Sequence, residues 1–316
     1  MTTAAAQSTT AQSTSAKPAA PGPAAARVVV RPLRRTAYVA TKRALDASRP
    51  LFIRTYDRLG RRDPLAPGTG ESPADQVLAD LEARGFARWP GYFSAEQVAE
   101  LNRAFERVLD APDPGAHWKR VVGVDAHDGR ARAFADCAHA AQIDATLAGL
   151  FSDERLASLV RRYYRGANTW CRSIMVERLS VTQSPGTWHF DKIFDQVKAM
   201  VLLSDVGREH GPIRYKAATH RDRPAFVDLF LHESFKRGAI HGLDYAYPPQ
   251  PLVERLPHED LFGVGRAGDV LFFDTLGLHT GTACSTGERR AVVAAYNAQT
   301  ARNNRLYKLL FPDRAA

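Results

Sequence analysis

From Cys171 onward the chain becomes a succession of short runs rich in β-branched and aromatic residues. SIMVERLSV, QVKAMVLLSDV, GDVLFFD and RRAVVAAYN are each cut off by Gly, Pro or Asp. No other feature narrows the fold as much. Strands that follow one another through turns, without an intervening helix of roughly 10–15 residues each time, do not build a parallel βαβ sheet and require antiparallel layers. Helical signals are confined to the stretch before. Ser72 followed by Pro73 is an N-cap with proline at the first helical position, which predicts a helix to about Arg84 that Gly85 stops. GFARWPGYF reads as a short strand and a turn, and Ser94 with Gln97 forms a capping box for a second helix through about Leu109. Residues 151–165 carry a further helical pattern. Helices first and antiparallel strands later predict a mainly β fold whose flanking helices buttress a sandwich or barrel.

The segments upstream of Ser72 have a different character. Residues 1–26 are Ala, Thr, Ser, Gln and Pro without an aromatic residue, and are expected to form a disordered tail. Residues 27–71 form a basic arm and linker, and residues 72–316 the folded domain. The formal net charge of +9 resides in the arm: residues 27–62 hold eleven Arg or Lys against Asp46 and Asp57. The rest is close to neutral, so a nucleic-acid partner, which needs a basic surface on the folded domain, is not expected. Two roles stay open for the arm: a surface helix packed on the domain, or a peripheral contact with an anionic membrane or an acidic partner. No run approaches 18 apolar residues, a secretory leader is not recognisable, and three scattered cysteines do not make a disulfide framework. The expected location is cytoplasmic, with membrane-peripheral attachment through the arm left open.

Chemistry concentrates in two motifs. In TWHFD, His189 and Asp191 stand two apart, so on a strand they project to one side with Cα atoms about 6–7 Å apart. An imidazole and a carboxylate presented together can share a metal at roughly 2.0–2.2 Å. Alone, H-x-D is weak and equally describes a surface pair. In GDVLFFDTLGLHTG, a buried strand and a glycine corner lead to His279. A jelly roll can return such a distant histidine to the same barrel mouth. Two histidines and one aspartate leave open coordination positions, the arrangement of non-haem Fe(II) oxygenases. Further on, Arg289 and Arg290 begin a strand and point to opposite faces. One of them can enter the barrel, where a guanidinium needs an anion.

WHFD, QVKAMVLLSDV with GPIRYKAATHR, GDVLFFDTLGLHTG and RRAVVAAYN, in this order, resemble the phytanoyl-CoA dioxygenase-like Fe(II)/2-oxoglutarate oxygenases. GFARWPGYFSAEQVAELNRAF is similar to that family's opening, and the resemblance covers about residues 72–300. It implies a double-stranded β-helix (a cupin-like jelly roll), with His189, Asp191 and His279 as catalytic iron ligands and Arg290 as the arginine that binds 2-oxoglutarate. Lys198 stands where the resembling enzymes often place Gln or Lys on the strand after H-x-D, and is expected to contact co-substrate or substrate. The implied reaction consumes O2 and 2-oxoglutarate, releases succinate and CO2, and hydroxylates an unactivated C–H bond of a small-molecule, lipid- or glycan-type substrate. Related halogenases lack the carboxylate, so Asp191 points to hydroxylation. Residues 222–260 form an aromatic-rich insertion expected to act as a substrate lid, and Ala217–His220 departs from the Pro-Gly-Ser-His turn usual there. Two alternatives remain: a cupin-like metal enzyme that does not use 2-oxoglutarate, and a catalytically silent binding protein of the same fold.

Overall fold

The computed structural model describes residues 72–110, 118–121, 131–136, 144–181, 186–191, 194–221, 248, 250–300 and 303–304. The tail 1–26, the arm and linker 27–71 and most of the expected lid segment, 222–247, lie outside the described residues.

Helix α1 (Pro73–Arg84) starts on Ser72, whose hydroxyl accepts from the Asp75 amide, and ends on Gly85 in the left-handed region. Strand β1 (Phe86–Trp89) follows at once. Helix α2 (Ala95–Asp110) opens with the expected reciprocal pair, Gln97 N to Ser94 Oγ at 3.3 Å and Ser94 N to Gln97 Oε1 at 2.9 Å. Then come β2 (Trp118–Val121), β3 (Ala131–Asp136), α3 (Ala145–Phe151) and α4 (Glu154–Tyr163). The helix expected over 151–165 is α4, and α3 just before it is an element the sequence reading did not include. Asp144 caps α3, and Asp153 restarts the chain by accepting from the amides of Arg155 and Leu156.

The β region comprises β4 (Thr169–Ser180), β5 (Gln196–Leu202), β6 (Ile213–Lys216), helix α5 (Gln250–Glu254), β7 (Asp260–Phe262), β8 (Val270–Asp274), β9 (His279–Gly281) and β10 (Glu288–Ala298). A seven-stranded antiparallel sheet runs β1-β8-β5-β10-β4-β3-β2, and a three-stranded sheet runs β7-β6-β9. Together they make the jelly roll, or double-stranded β-helix, expected from the sequence.

Both faces of the large sheet are covered. On its outer face Ile174, Val176, Val197, Ala199, Val201, Phe272, Val292, Ala294 and Tyr296 pack against Leu81, Phe105, Leu147, Leu159 and Tyr163 of the helices. On the inner face Met200, Leu202, Leu271, Phe273, Ala291 and Val293 meet Ile213 and Tyr215 of the small sheet. Each fully buried Leu, Val or Phe contributes about 1.5–3 kcal/mol, so the two layers supply the driving force that holds the sheets apart at a fixed spacing. Among the described residues no helix is long and apolar enough to cross a membrane.

Candidate metal centre

His189 lies on a short bridged segment with Phe190, and His279 begins β9. The two pair as antiparallel neighbours, His189 N to His279 O at 3.0 Å and His279 N to His189 O at 2.9 Å. Asp191 is anchored two residues on, its amide donating to Thr275 O at 3.0 Å, and Thr275 N in turn donates to Gln196 O at the start of β5. The H-x-D segment thus bridges the edge of the small sheet and the end of β5. The side chains converge: Asp191 Oδ1 is 3.4 Å from the Nε2 of both His189 and His279, and one ligand atom from each residue lies within 4.8 Å of the others.

Backbone carbonyls choose the tautomers. His189 Nδ1 is 2.7 Å from Thr187 O and His279 Nδ1 is 2.9 Å from Gly277 O. A carbonyl only accepts, so each Nδ1 carries the proton and each Nε2 presents its lone pair to the shared point. Burial, and then the neighbouring His279, push the His189 pKa down to about 4. Burial alone would raise the Asp191 pKa; the Lys198 ammonium, with Nζ 2.5 Å from Oδ2, holds it well below the usual carboxylate range. Two neutral imidazoles and one carboxylate are the protonation states that a divalent cation requires. The donor set, two imidazoles and one carboxylate, fits iron.

Lys198, on the inner face of β5, places Nζ 2.5 Å from Asp191 Oδ2. An ammonium among Met200, Leu202 and Phe273 is tolerable because that carboxylate meets it. Lys198 therefore joins the site through Asp191, one contact away from where the sequence alone set it.

The loop leading to His279 is built from buried hydrogen bonds. Asp274 accepts from Tyr163 Oη at 2.8 Å and from Leu276 N at 3.0 Å, and its carbonyl accepts from Tyr215 Oη at 3.0 Å and from Gly277 N at 3.1 Å. Tyr215 stacks on His279 with ring centroids 6.4 Å apart. Gly277 is required by this packing, because a Cβ there would lie 1.8 Å from the Tyr215 hydroxyl. Gly277→Ala is expected to cost about 1–3 kcal/mol of stability, read as a lower urea midpoint, and to weaken metal binding about 10–100-fold by turning His279.

Sequence reasoning missed a clamp at the other end of H-x-D. The Trp188 amide donates to Gln250 Oε1 at 2.7 Å, Gln250 Nε2 returns to Trp188 O at 3.1 Å, and the indole N–H reaches Glu254 at 2.7 Å. The described end of the expected lid segment, helix α5, thereby holds the residue next to the first ligand. A pair of amides also lies at the start of β5: Gln196 Nε2 donates to Asn297 Oδ1 at 2.7 Å, two residues before Lys198 in the β5–β10 register.

The arginine expectation needs correcting. On β10 the inner face carries Ala291 and Val293, so alternation puts Arg289 inside and Arg290 outside. Arg290 Nη1 reaches Glu106 of α2 at 2.6 Å and its Nε reaches Glu288 at 2.5 Å. Arg178, opposite it on β4, joins the same outer cluster through Glu106 at 2.6 Å. Arg289 is 1% exposed, and it donates to Glu177 and to the Gly211 carbonyl. Tyr296 also faces outward, bonding Leu150 O at 3.2 Å. The structure therefore brings His189, Asp191, His279 and Lys198 together, leaves Arg290 outside, and puts Arg289 in the barrel.

Residues 81–292 match the family model of phytanoyl-CoA dioxygenase (PhyH). Among solved structures, EctD from S. alaskensis with bound Fe is similar at 21% identity and TM-score 0.57, over 75% of this chain and 82% of that one. The non-heme alpha ketoglutarate dependent epimerase SnoN from nogalamycin biosynthesis is similar at 18% identity and TM-score 0.52, over 71% and 82%. The alpha ketoglutarate dependent carbocyclase SnoK of the same biosynthesis is similar at 17% identity and TM-score 0.52, over 77% and 93%. These likenesses are of fold. No curated protein matches the chain in sequence.

Proposed function

The chain belongs to the phytanoyl-CoA dioxygenase family, whose model spans its residues 81–292, and from that premise we propose that it uses iron(II) and 2-oxoglutarate to hydroxylate an unactivated C–H bond. The substrate class is a small molecule of lipid or glycan type, and the co-products are succinate and CO2. One observation carries the reading: His189, Asp191 and His279 converge with both Nε2 atoms and one carboxylate oxygen on a single buried point. When bound, iron and 2-oxoglutarate supply the oxidising equivalents for such a reaction.

The chain's own groups bind and orient. His189, Asp191 and His279 would hold the metal, and three protein ligands would leave room for co-substrate and O2. Lys198 keeps Asp191 ionised at neutral pH. Arg289, buried inside the barrel, offers a planar guanidinium to the distal carboxylate of 2-oxoglutarate. Gln196 and Asn297 offer both donors and acceptors to a polar substrate group. Phe273 and Met200 line the same face and keep water out. The carboxylate at Asp191 occupies a coordination position that halogenating relatives leave for halide, which favours transfer of oxygen. The test is incubation with iron(II), 2-oxoglutarate and a panel of lipids, glycosides and polar metabolites. A product one oxygen atom heavier than its substrate is expected; an isomer or a cyclised product of unchanged oxygen count would replace hydroxylation by another outcome of the same chemistry.

For the basic segment 27–62 the proposal is peripheral attachment to an anionic membrane. A chain beginning near Pro64 is expected to keep metal and 2-oxoglutarate binding and to lose salt-sensitive co-sedimentation with anionic vesicles. Equal sedimentation of long and short chains would remove this role.

A further inference from the structure

We propose that Gln250 and Glu254 of α5 are positioning residues for the metal centre, which set the orientation of His189 by gripping Trp188; the inference rests on reading His189, Asp191 and His279 as metal ligands. One edge of the His189 segment is tied to β9, by the reciprocal His189–His279 backbone pair and by Gly186 N donating to Gly281 O at 2.8 Å. Antiparallel pairing alternates along a chain. Where His189 turns its amide and carbonyl toward β9, those of Trp188 turn to the opposite edge.

At that edge a side chain takes the place of a neighbouring strand. A carboxamide carries the same donor and acceptor as a peptide group, and Gln250 uses both on one residue. Its Oε1 accepts from Trp188 N at 2.7 Å and its Nε2 donates to Trp188 O at 3.1 Å. The same Nε2 donates to Pro248 O at 2.8 Å, which fixes which end of the amide meets which partner. Glu254, one helical turn on and on the same face, accepts the indole N–H at 2.7 Å.

Peptide planarity carries this grip to the metal ligand. The Trp188 N–H belongs to the same rigid plane as the Thr187 carbonyl. That carbonyl lies 2.7 Å from His189 Nδ1 and selects the tautomer that leaves Nε2 facing the shared point. Gln250 therefore holds the plane that holds the imidazole. The small sheet braces the arrangement from outside. Arg214 of β6 donates to both Glu254 oxygens, at 3.3 and 2.9 Å, and to Asp260 at 2.5 Å, with its guanidinium 5.0 Å from the Trp188 ring centre. Lys216, two residues on and buried, meets Asp260 at 3.0 Å. Between them Tyr215 faces the other way and stacks on His279. One strand thus reaches both histidines, His279 through Tyr215 and His189 through Arg214, Glu254 and Trp188.

The experiment is titration of the full-length chain with Co(II), whose visible absorption follows its coordination geometry, for the wild type, Gln250→Met, Trp188→Phe and Tyr92→Phe. Gln250→Met keeps the side-chain length and removes both bonds to the backbone, whereas Trp188→Phe keeps a ring and removes the bond to Glu254. Tyr92→Phe is the control for a lost hydrogen bond elsewhere, because Tyr92 donates to Asp153 at 2.6 Å in the layer that the helices form. Gln250→Met is expected to bind Co(II) about 10–100-fold more weakly and with an altered spectrum, and Trp188→Phe to move both readings the same way by less. Tyr92→Phe is expected to lower the urea midpoint and to match the wild type in affinity and spectrum. Gln250→Met with the wild-type spectrum overturns the proposal, and so does a fall in affinity that Tyr92→Phe shares. Should Gln250→Met not fold, Trp188→Phe decides by the same criterion. Failure of the wild type to bind Co(II) would overturn the ligand reading together with the proposal; wild-type binding that Gln250→Met leaves intact removes the positioning role alone.

Discussion

Asp191→Ala is expected to lower metal affinity by more than about 100-fold and to abolish 2-oxoglutarate turnover, and His189→Ala and His279→Ala to do the same. Each residue supplies one of three donors, and the loss of one leaves a much weaker site. Asp191 carries the largest effect, because its loss takes the negative charge from the site and brings the buried Lys198 ammonium to face an incoming cation. Asp191→Ala combined with Lys198→Met separates these contributions: the pair is expected to regain fold stability but not metal. The measurement is bound metal per chain by elemental analysis, alongside circular dichroism to show an intact fold. Any of the three alanine variants retaining the wild-type metal content would remove that residue from the ligand set.

Arg289→Lys is the second large effect. Lysine keeps the charge but not the planar fork, so apparent affinity for 2-oxoglutarate is expected to fall by about 1.5–3 kcal/mol, or roughly 10–150-fold. Arg289→Ala goes further, because it leaves the Glu177 carboxylate buried without that partner and costs about 3–5 kcal/mol of stability. Arg290→Lys, in the half-exposed outer cluster, is expected to change stability by less than about 1 kcal/mol and to leave co-substrate binding alone. Titration of the three variants with 2-oxoglutarate, followed by urea unfolding, checks all of this. The reverse ranking of Arg289 and Arg290 would mean that β10 is read in the wrong register.

Why the arginine pair misled sequence reading is visible in β10 itself. Register is legible when a strand alternates between apolar and polar residues, and Ala291–Ala295 does not alternate, because helices cover one face and the small sheet the other. Parity cannot be read from a strand buried on both sides, and a one-residue slip exchanges the two guanidiniums. The convergence of His189, Asp191 and His279 escaped this difficulty. H-x-D fixes its own parity by spacing, and the glycine corner before His279 announces a return to the same edge. Local capping chemistry was equally legible, since Ser72, Ser94 and Gln97 act within one helical turn. What stayed hidden depends on distant partners: Trp188 held by Gln250 and Glu254, Asp274 held by Tyr163, and Lys198 meeting Asp191. Helix α3 was missed because it is only seven residues long, too short to show a helical period of its own.

The family, the jelly roll and the three converging ligands all lead to the same reaction, in which this chain couples iron to the oxidative decarboxylation of 2-oxoglutarate. Its decisive readout is succinate formed per chain after anaerobic loading with iron(II) and 2-oxoglutarate and then admission of O2, with Asp191→Ala as control. Iron-dependent succinate from the wild type and none above background from Asp191→Ala is the expected result. An iron-loaded wild type that neither binds 2-oxoglutarate nor forms succinate, with or without candidate substrates, would rule that reaction out.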